Sequence, residues 1–253
     1  MDLSVILPTL NEEQDLPDLL SSIENQTRSV FEVVVVDGGS TDGTVDIALD
    51  RGARVLICPS AGEYEARNIG SRVARGTILV NTAADIIWPA YLVERIERHL
   101  TQSPRLVGLT GPGIPIDPPA WARIEYSTWN LARYMLSHWG KFLTSTNFLV
   151  CPKAAFLEAG GLNVDDINAD GKFGRYLRSI GPVKFALDTH VFISSRRMRQ
   201  AGLLGFNRTF LYVAENFIPT LGRSRAFQRL IKEASSIRHS RRSGSDGNEE
   251  DPA

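Results

Sequence analysis

What most constrains the fold of this chain is an early alternation of apolar runs with amphipathic stretches. Ser4-Val5-Ile6-Leu7, Phe31 to Val36 and Arg54 to Cys58 are short, rich in β-branched residues and end at turn formers. Runs of this kind are predicted to be buried parallel strands. Between the first two, Glu13 to Gln26 carries Leu16, Leu19, Leu20 and Ile23 at helical spacing, which makes one apolar face. Ser40-Thr41-Asp42 is an N-cap cluster for a second helix through Val45, Ile47 and Ala48. A third helix is expected over Tyr64 to Arg75, ahead of a fourth strand, Thr77 to Val80. Strand–helix alternation with short connections implies a doubly wound α/β domain on a parallel sheet. Such sheets bind ligands at the carboxyl ends of their strands.

Further along, Tyr91 to His99 reads as helix, and the Gly/Pro-rich stretch Gly108 to Pro119 as an interruption. Trp121 to Trp139 reads as an unusually aromatic helix. Asn147 to Val150 is expected as a strand followed by a helix after Pro152. Phe173 to Ile180 is expected as helix and Val183 to Ile193 as one strand. From Phe206 to Arg238 apolar and basic residues mix at helical spacing, and Ser240 to Ala253 has the composition of a disordered tail.

Composition narrows the function classes. The chain has 253 residues, 43% hydrophobic and 23% charged, with a net charge of -1. No global charge points to nucleic acid. Lysine occurs only at Lys141, Lys153, Lys172, Lys184 and Lys232, so arginine, with its planar phosphate-binding fork, carries most of the positive charge. Cys58 and Cys151 have no metal-ligand spacing and suit a reducing compartment. Met1-Asp2-Leu3-Ser4 lacks a basic leader, and no apolar run reaches membrane-spanning length. The expected location is the cytoplasm, on or off a membrane face.

Each early strand ends in polar residues: Pro8-Thr9-Leu10-Asn11-Glu12, Asp37-Gly38-Gly39-Ser40-Thr41-Asp42-Gly43, and Asn81-Thr82-Ala83-Ala84-Asp85. In a parallel sheet these tips lie side by side and line a cleft with carboxylates, amides and glycines. Glycines there let backbone N–H groups approach a ligand. Taken alone, the Asp37 to Asp42 segment also reads as a plain loop and helix cap.

Val5-Ile6-Leu7-Pro8-Thr9-Leu10-Asn11-Glu12, followed by Val34-Val35-Val36-Asp37-Gly38-Gly39-Ser40-Thr41-Asp42-Gly43-Thr44, resembles the opening of family-2 glycosyltransferases. That resemblance implies the GT-A fold: a Rossmann-like, mostly parallel sheet flanked by helices, here with a C-terminal helical extension. It implies a nucleotide pocket formed by Pro8, Asn11, Glu12, Asp37 and Asp42. Glu63-Tyr64-Glu65-Ala66-Arg67-Asn68-Ile69-Gly70 is similar to the family's next segment, which turns Arg67 and Asn68 toward the nucleotide. An arginine at a helix start suits a diphosphate.

The fourth segment departs from the family pattern. Where Asp-X-Asp is usual, this chain reads Ala83-Ala84-Asp85, in a register anchored by Pro89. Asp85 keeps the second carboxylate, so Ala84 and Asp85 remain the donor-side pair and Asp85 the expected ligand of Mn²⁺ or Mg²⁺. A hard cation held mainly by phosphates can manage with one carboxylate. A degenerate site without metal is the alternative. His190 is a second candidate ligand, although a lone strand histidine is more often structural.

Thr144 to Val150 and Ala155 to Leu162 resemble the family's acceptor-side strand and helix. In the frame Ile167 to Arg178, Asp170 takes the general-base position and Ala169 replaces the usual glutamate. Asp165 and Asp166 are nearby competitors, and an N-cap role for Asp170 is the alternative. Ser194-Ser195-Arg196-Arg197 is similar to a basic motif of small family members, and Arg196 and Arg197 at a strand end suit either the leaving diphosphate or an acceptor phosphate. A solvated charge pair is the other reading.

The implied organisation is a catalytic domain over residues 1–205, with a nucleotide half at 1–89 and an acceptor half at 90–205. An amphipathic extension follows at 206–239 and a disordered tail at 240–253. The extension's apolar face and arginines suit a peripheral membrane contact; packing on the domain or a dimer contact would also use them. The implied activity is inverting transfer of a sugar from a UDP- or GDP-linked donor to a glycan hydroxyl or lipid-phosphate acceptor. Ala83 and Ala169 leave open a sugar-nucleotide-binding protein with impaired catalysis. A dehydrogenase is disfavoured because no Gly-X-Gly-X-X-Gly follows the first strand.

Overall fold

The computed structural model describes residues 1–145, 147–166 and 168–201. In chain order these form β1 (Leu3–Thr9), α1 (Leu16–Glu24), β2 (Glu32–Asp37), α2 (Thr44–Asp50), β3 (Arg54–Ile57), α3 (Glu63–Val73), β4 (Ile78–Thr82), β5 (Ile86–Ile87) and α4 (Leu92–Gln102). There follow β6 (Gly108–Thr110), β7 (Gly113–Ile116), α5 (Ala120–His138), β8 (Phe148–Pro152), α6 (Lys153–Glu158), α7 (Ala169–Ile180), β9 (Val183–Phe185), β10 (Val191–Ser194) and α8 (Arg196–Ala201). The unit formed by Met1–Arg199 is the one described below. The expected extension at 206–239 and tail at 240–253 lie outside the described residues.

A seven-stranded sheet in the order β3-β2-β1-β4-β8-β6-β9 forms the centre. β3, β2, β1 and β4 run parallel, as do β6 and β9. β8 enters antiparallel to both β4 and β6, so the sheet is mostly parallel, not wholly so. A smaller sheet, β5-β10-β7, lies apart from it. One buried cluster packs Leu16, Leu19, Leu20 and Ile23 of α1 with Leu3, Val5 and Leu7 of β1. A second gathers Ile6 and Val34 with Phe156 and Phe173. The alternation of Val5 and Leu7 against Ile6 reflects the two-residue period of a strand buried on both faces.

Several expectations change. β3 is an edge strand, so Arg54 and Ile57 are exposed instead of buried. β4 continues through Thr82, which makes Asn81 an interior strand residue with no exposed surface, not a tip residue. The Gly/Pro stretch read as an interruption holds two strands, β6 and β7. Glycine serves close packing there: a Cβ at Gly111 would fall on the carbonyl oxygen of Thr189. The single strand expected from Val183 to Ile193 is two strands in different sheets, broken by a 3-10 turn at Leu187–Thr189.

Candidate active site

Strand register brings the polar tips together. Thr9 at the end of β1 is the parallel neighbour of Asp37 at the end of β2, and Ile6 of β1 neighbours Asn81 of β4. The carboxyl ends of β2, β1 and β4 therefore form one continuous rim, the position where doubly wound sheets take ligands.

Asp37 builds that rim. It is fully buried, and its carboxylate accepts four hydrogen bonds. The Gly39 and Ser40 amides donate to Oδ1 at 2.9 and 2.7 Å, and the Thr9 hydroxyl donates to Oδ2 at 2.9 Å, with Ser40 Oγ beside it. The loop is thus stapled to β1, and Asp37 is used inside the protein and not displayed. Asn11, in the left-handed region at φ 54°, is exposed, and its Oδ1 accepts from the Thr41 amide at 2.9 Å. Asp42 accepts from the amide of Thr44, the first residue of α2, at 3.1 Å. Its second oxygen accepts from the Glu13 amide at 3.2 Å. Glu12 is buried, its amide donating to the Thr44 hydroxyl at 2.8 Å, while Pro8 is half-buried on β1.

The α3 pair behaves differently from the expectation of two nucleotide-facing side chains. Arg67 is fully buried; its Nη1 donates to the Thr82 carbonyl at 2.8 Å and its Nη2 pairs with Glu63 at 3.0 Å. A buried guanidinium here fixes the end of β4 just ahead of Asp85. Asn68 uses both ends of its amide on Leu162: Nδ2 donates to the carbonyl and Oδ1 accepts from the amide, each at 2.7 Å. That exchange holds the turn at Gly160 and Gly161, both with positive φ.

Ala83 to Asp85 form the turn between β4 and β5. Ala83 and Asp85 are half-buried, whereas Ala84 points its methyl into the core, leaving only its backbone for a ligand. The Asp85 carbonyl accepts from the Ser194 amide at 2.8 Å, which ties β10 to this turn. Tyr126, from α5, faces the same place. Burial raises its hydroxyl well above the ordinary tyrosine value, and the negative charges of Asp85 and Glu125 raise it further. In the sequence Tyr126 is one of several aromatics between Trp121 and Trp139; only packing singles it out.

The structure does not bring His190 to Asp85. Antiparallel pairing sets Ile193 opposite Ile86 and Phe192 opposite Ile87, so His190 lies four residues up the strand from Ser194. That is about 13 Å of extended chain. The His190 ring packs edge-on against Phe192, 5.4 Å between centroids. No group of three or more His, Cys, Asp or Glu suited to a metal occurs among the described residues. Arg196, expected on a diphosphate, is ion-paired with Asp15 at the N-cap of α1, its Nε 3.0 Å from Oδ2. The Arg197 side chain lies outside the described residues.

Asp170 sits in the first turn of α7, half-buried. The Gly171 amide donates to its Oδ1 at 3.1 Å and the Thr144 hydroxyl to its backbone carbonyl at 2.5 Å. Tyr64, at the start of α3, donates to Oδ1 at 3.3 Å. Because α3 follows β3, its first turn stands at the carboxyl end of the parallel strands, and Asp170 stands there with it. Asp166 instead pairs with Lys172. Behind Asp170 the guanidinium of Arg133 is fully enclosed, donating to the Leu143 carbonyl and the Thr110 hydroxyl at 3.1 Å each. Burial pulls Arg133 down to about 10, and the Asp170 carboxylate partly offsets that fall.

Comparison with known proteins agrees with this architecture. The family model described as "Glycosyl transferase family 2" matches residues 4–159. A PGL/p-HBAD biosynthesis glycosyltransferase of Mycobacterium bovis is 47% identical over 88 residues, 32% of this chain and 34% of the relative. An undecaprenyl-phosphate 4-deoxy-4-formamido-L-arabinose transferase of Aeromonas hydrophila is 30% identical over 115 residues, 42% of this chain and 35% of the relative. The chain thus spans about a third of the length of these curated relatives. Among solved structures, the mannosyltransferase PcManGT from Pyrobaculum calidifontis, in complex with GDP-Man and Mn²⁺, superposes with a TM-score of 0.65. It is 18% identical, and the match covers 92% of this chain and 68% of that one.

Proposed function

The chain belongs to glycosyl transferase family 2, and from that premise we propose that it moves a sugar from a UDP- or GDP-linked donor to a hydroxyl or lipid-phosphate acceptor, with inversion. The observation that carries this reading is the bond from Tyr64 to Asp170, which sets a carboxylate beside the strand ends where the donor would bind. In the proposed reaction the acceptor oxygen attacks the anomeric carbon from the face opposite the nucleoside diphosphate. Asp170 takes the acceptor's proton as general base while the diphosphate leaves.

Asp85 is the proposed protein ligand of a divalent cation. Among the described residues the protein-side donor set is this single carboxylate, since Ala83 supplies none and His190 stands too far from it, just before β10. One carboxylate fits Mg²⁺ or Mn²⁺ when substrate phosphates and waters complete the shell. Such an ion would neutralise charge on the departing diphosphate. Asn11, the half-buried Ser40 and the exposed Thr41 are proposed to meet the nucleotide. Arg67 and Asp37 support them from behind, and Arg196 would have to leave Asp15 to reach a phosphate.

A lipid-linked acceptor suits the similarity to the undecaprenyl-phosphate transferase of Aeromonas. A reducing cytoplasmic setting suits the free thiols of Cys58 and Cys151. The proposed domain limits remain 1–205 for catalysis, with the 206–239 extension as a peripheral membrane element. Isothermal titration of UDP and GDP with Mn²⁺ tests the donor site; no heat for either at high micromolar concentration sinks the proposal. A second reading, nucleotide binding without transfer, draws on Ala83 and Ala169. Donor hydrolysis abolished by Asp170→Asn eliminates it.

A further inference from the structure

α5 carries two unlike faces. Inward, Tyr126 packs on the core beside Gly113, Asn130 exchanges hydrogen bonds with the Gly113 backbone, and Arg133 is enclosed. Outward, Ile124, Leu131, Met135 and the C-cap Trp139 are 68%, 61%, 45% and 74% exposed. Their spacing of i, i+7, i+11 and i+15 puts all four on one line of a straight helix. The remaining member of the stripe is the uncharged Thr128. From Ile124 to Trp139 the stripe runs about 22 Å along the helix. Surface helices ordinarily show charge on that face, and a contiguous apolar patch of this kind marks an interaction site.

Charge around the stripe identifies what it meets. Glu125 is the only carboxylate on α5. Exposed Arg123 stands near one end and exposed Lys141 beyond the other. Arg178 of α7 reaches the same end, its Nε 3.4 Å from the Gly140 carbonyl, and exposed Arg175 lies one turn before it. An apolar line ending in tryptophan and rimmed by cations is complementary to a bilayer with anionic headgroups: apolar residues enter the acyl boundary and cations meet the phosphates.

We infer that the outer face of α5, and not only the extension after residue 205, is a membrane-docking surface that lies flat on an anionic lipid bilayer. This stands on the surface alone and adds to the transferase reading a direction of approach: the inner face of the same helix carries Tyr126, which lies close enough to Asp85 to feel its charge, so docking would hold the site close to lipid-borne acceptors.

Co-sedimentation of the full chain with vesicles tests it. With phosphatidylcholine vesicles containing about a third phosphatidylglycerol, the protein should pellet. Binding should weaken roughly tenfold or more in Leu131→Ser/Met135→Ser, and several-fold on phosphatidylcholine alone or at high salt. Both residues are exposed, so the melting temperature should hold; Ile124→Ser, farther along the stripe, serves if the double variant melts early. Protein that stays in the supernatant, or a melt-neutral variant that pellets like the wild type, overturns the inference. So does a concentration-dependent dimer that Leu131→Ser/Met135→Ser abolishes without any vesicle binding, which would assign the face to a second copy. Nucleotide titration of the same variants separates this from failure of the transferase reading, because the stripe residues are exposed and none is among the proposed nucleotide contacts.

Discussion

The Tyr64 hydroxyl donates to Oδ1 of Asp170 across 3.3 Å, although 106 residues separate the two in the chain. One residue opens the helix after β3 and the other opens the helix after β8 and α6, so the bond joins the nucleotide-side and acceptor-side halves at the proposed base.

Removing that bond should impair turnover more than donor binding. Tyr64→Phe is expected to lower kcat about tenfold, the size of a lost hydrogen bond to a charged group, with the donor KM nearly unchanged. Asp170→Asn should cost about 10²–10⁴ in kcat. Steady-state kinetics with a fixed acceptor measures both; equal loss in KM and kcat for Tyr64→Phe would mean a general structural role instead.

Restoring the missing carboxylate should strengthen cation use. Ala83 is half-buried, two residues from Asp85, so Ala83→Asp adds a second oxygen ligand at the turn. The Mn²⁺ concentration for half-maximal activity should fall roughly tenfold, since hard cations bind more tightly as carboxylates are added. Asp85→Asn should raise it. Turnover insensitive to a chelator in the wild type would remove the metal role from Asp85.

Gly111 should tolerate no side chain. A Cβ there meets the Thr189 carbonyl, which cannot move without disrupting the turn between β9 and β10. Gly111→Ala is expected to destabilise by about 3 kcal/mol or more, the upper range of overpacking. Gly62→Ala is the control, because a Cβ at Gly62 meets nothing within 4 Å. Urea denaturation of the two variants should separate them clearly.

Acid should loosen the β1–β2 edge. Burial pushes the Glu32 carboxyl upward, but hydrogen bonds from the Arg75 amide, Ser4 and the Arg75 guanidinium outweigh it and leave the group below its ordinary 4.5. A depressed carboxylate contributes stability that is full above its unfolded value and lost as pH falls through the folded one. Melting temperature should therefore hold from neutrality to near 4.5 and drop below it. In Glu32→Gln that acid-side drop should be smaller; an unchanged drop would exclude Glu32 as a contributor.

Much of the donor half is legible in the linear chain. β1 and β2 show their burial as short continuous apolar runs and α1 as a period of 3.6, patterns that each segment carries in its own side chains. The tip motifs after β1 and β2 also stand at the strand ends, as expected, whereas Asn81 and Thr82 of the third lie inside β4. The roles of their side chains were less legible. Asp37 and Asn68 carry the residue types of ligand-binding groups, yet four hydrogen bonds to the one and two to the other hold loops in place. A motif records which atoms are near a site; it does not record whether their lone pairs are already taken.

What the sequence determined by itself was local: which segments are strands or helices in the first ninety residues, where their polar ends fall, and that Asp85 keeps one carboxylate where Ala83 lacks the other. What only the tertiary structure decided was long-range: the antiparallel entry of β8, the break between β9 and β10, the distance of His190 from Asp85, the diversion of Arg196 to Asp15, and the meeting of Tyr64 with Asp170. Periodicity follows from each segment's own side chains. Register and partner choice follow from which surfaces remain to be buried once every segment has formed, and no single stretch of the chain contains that information.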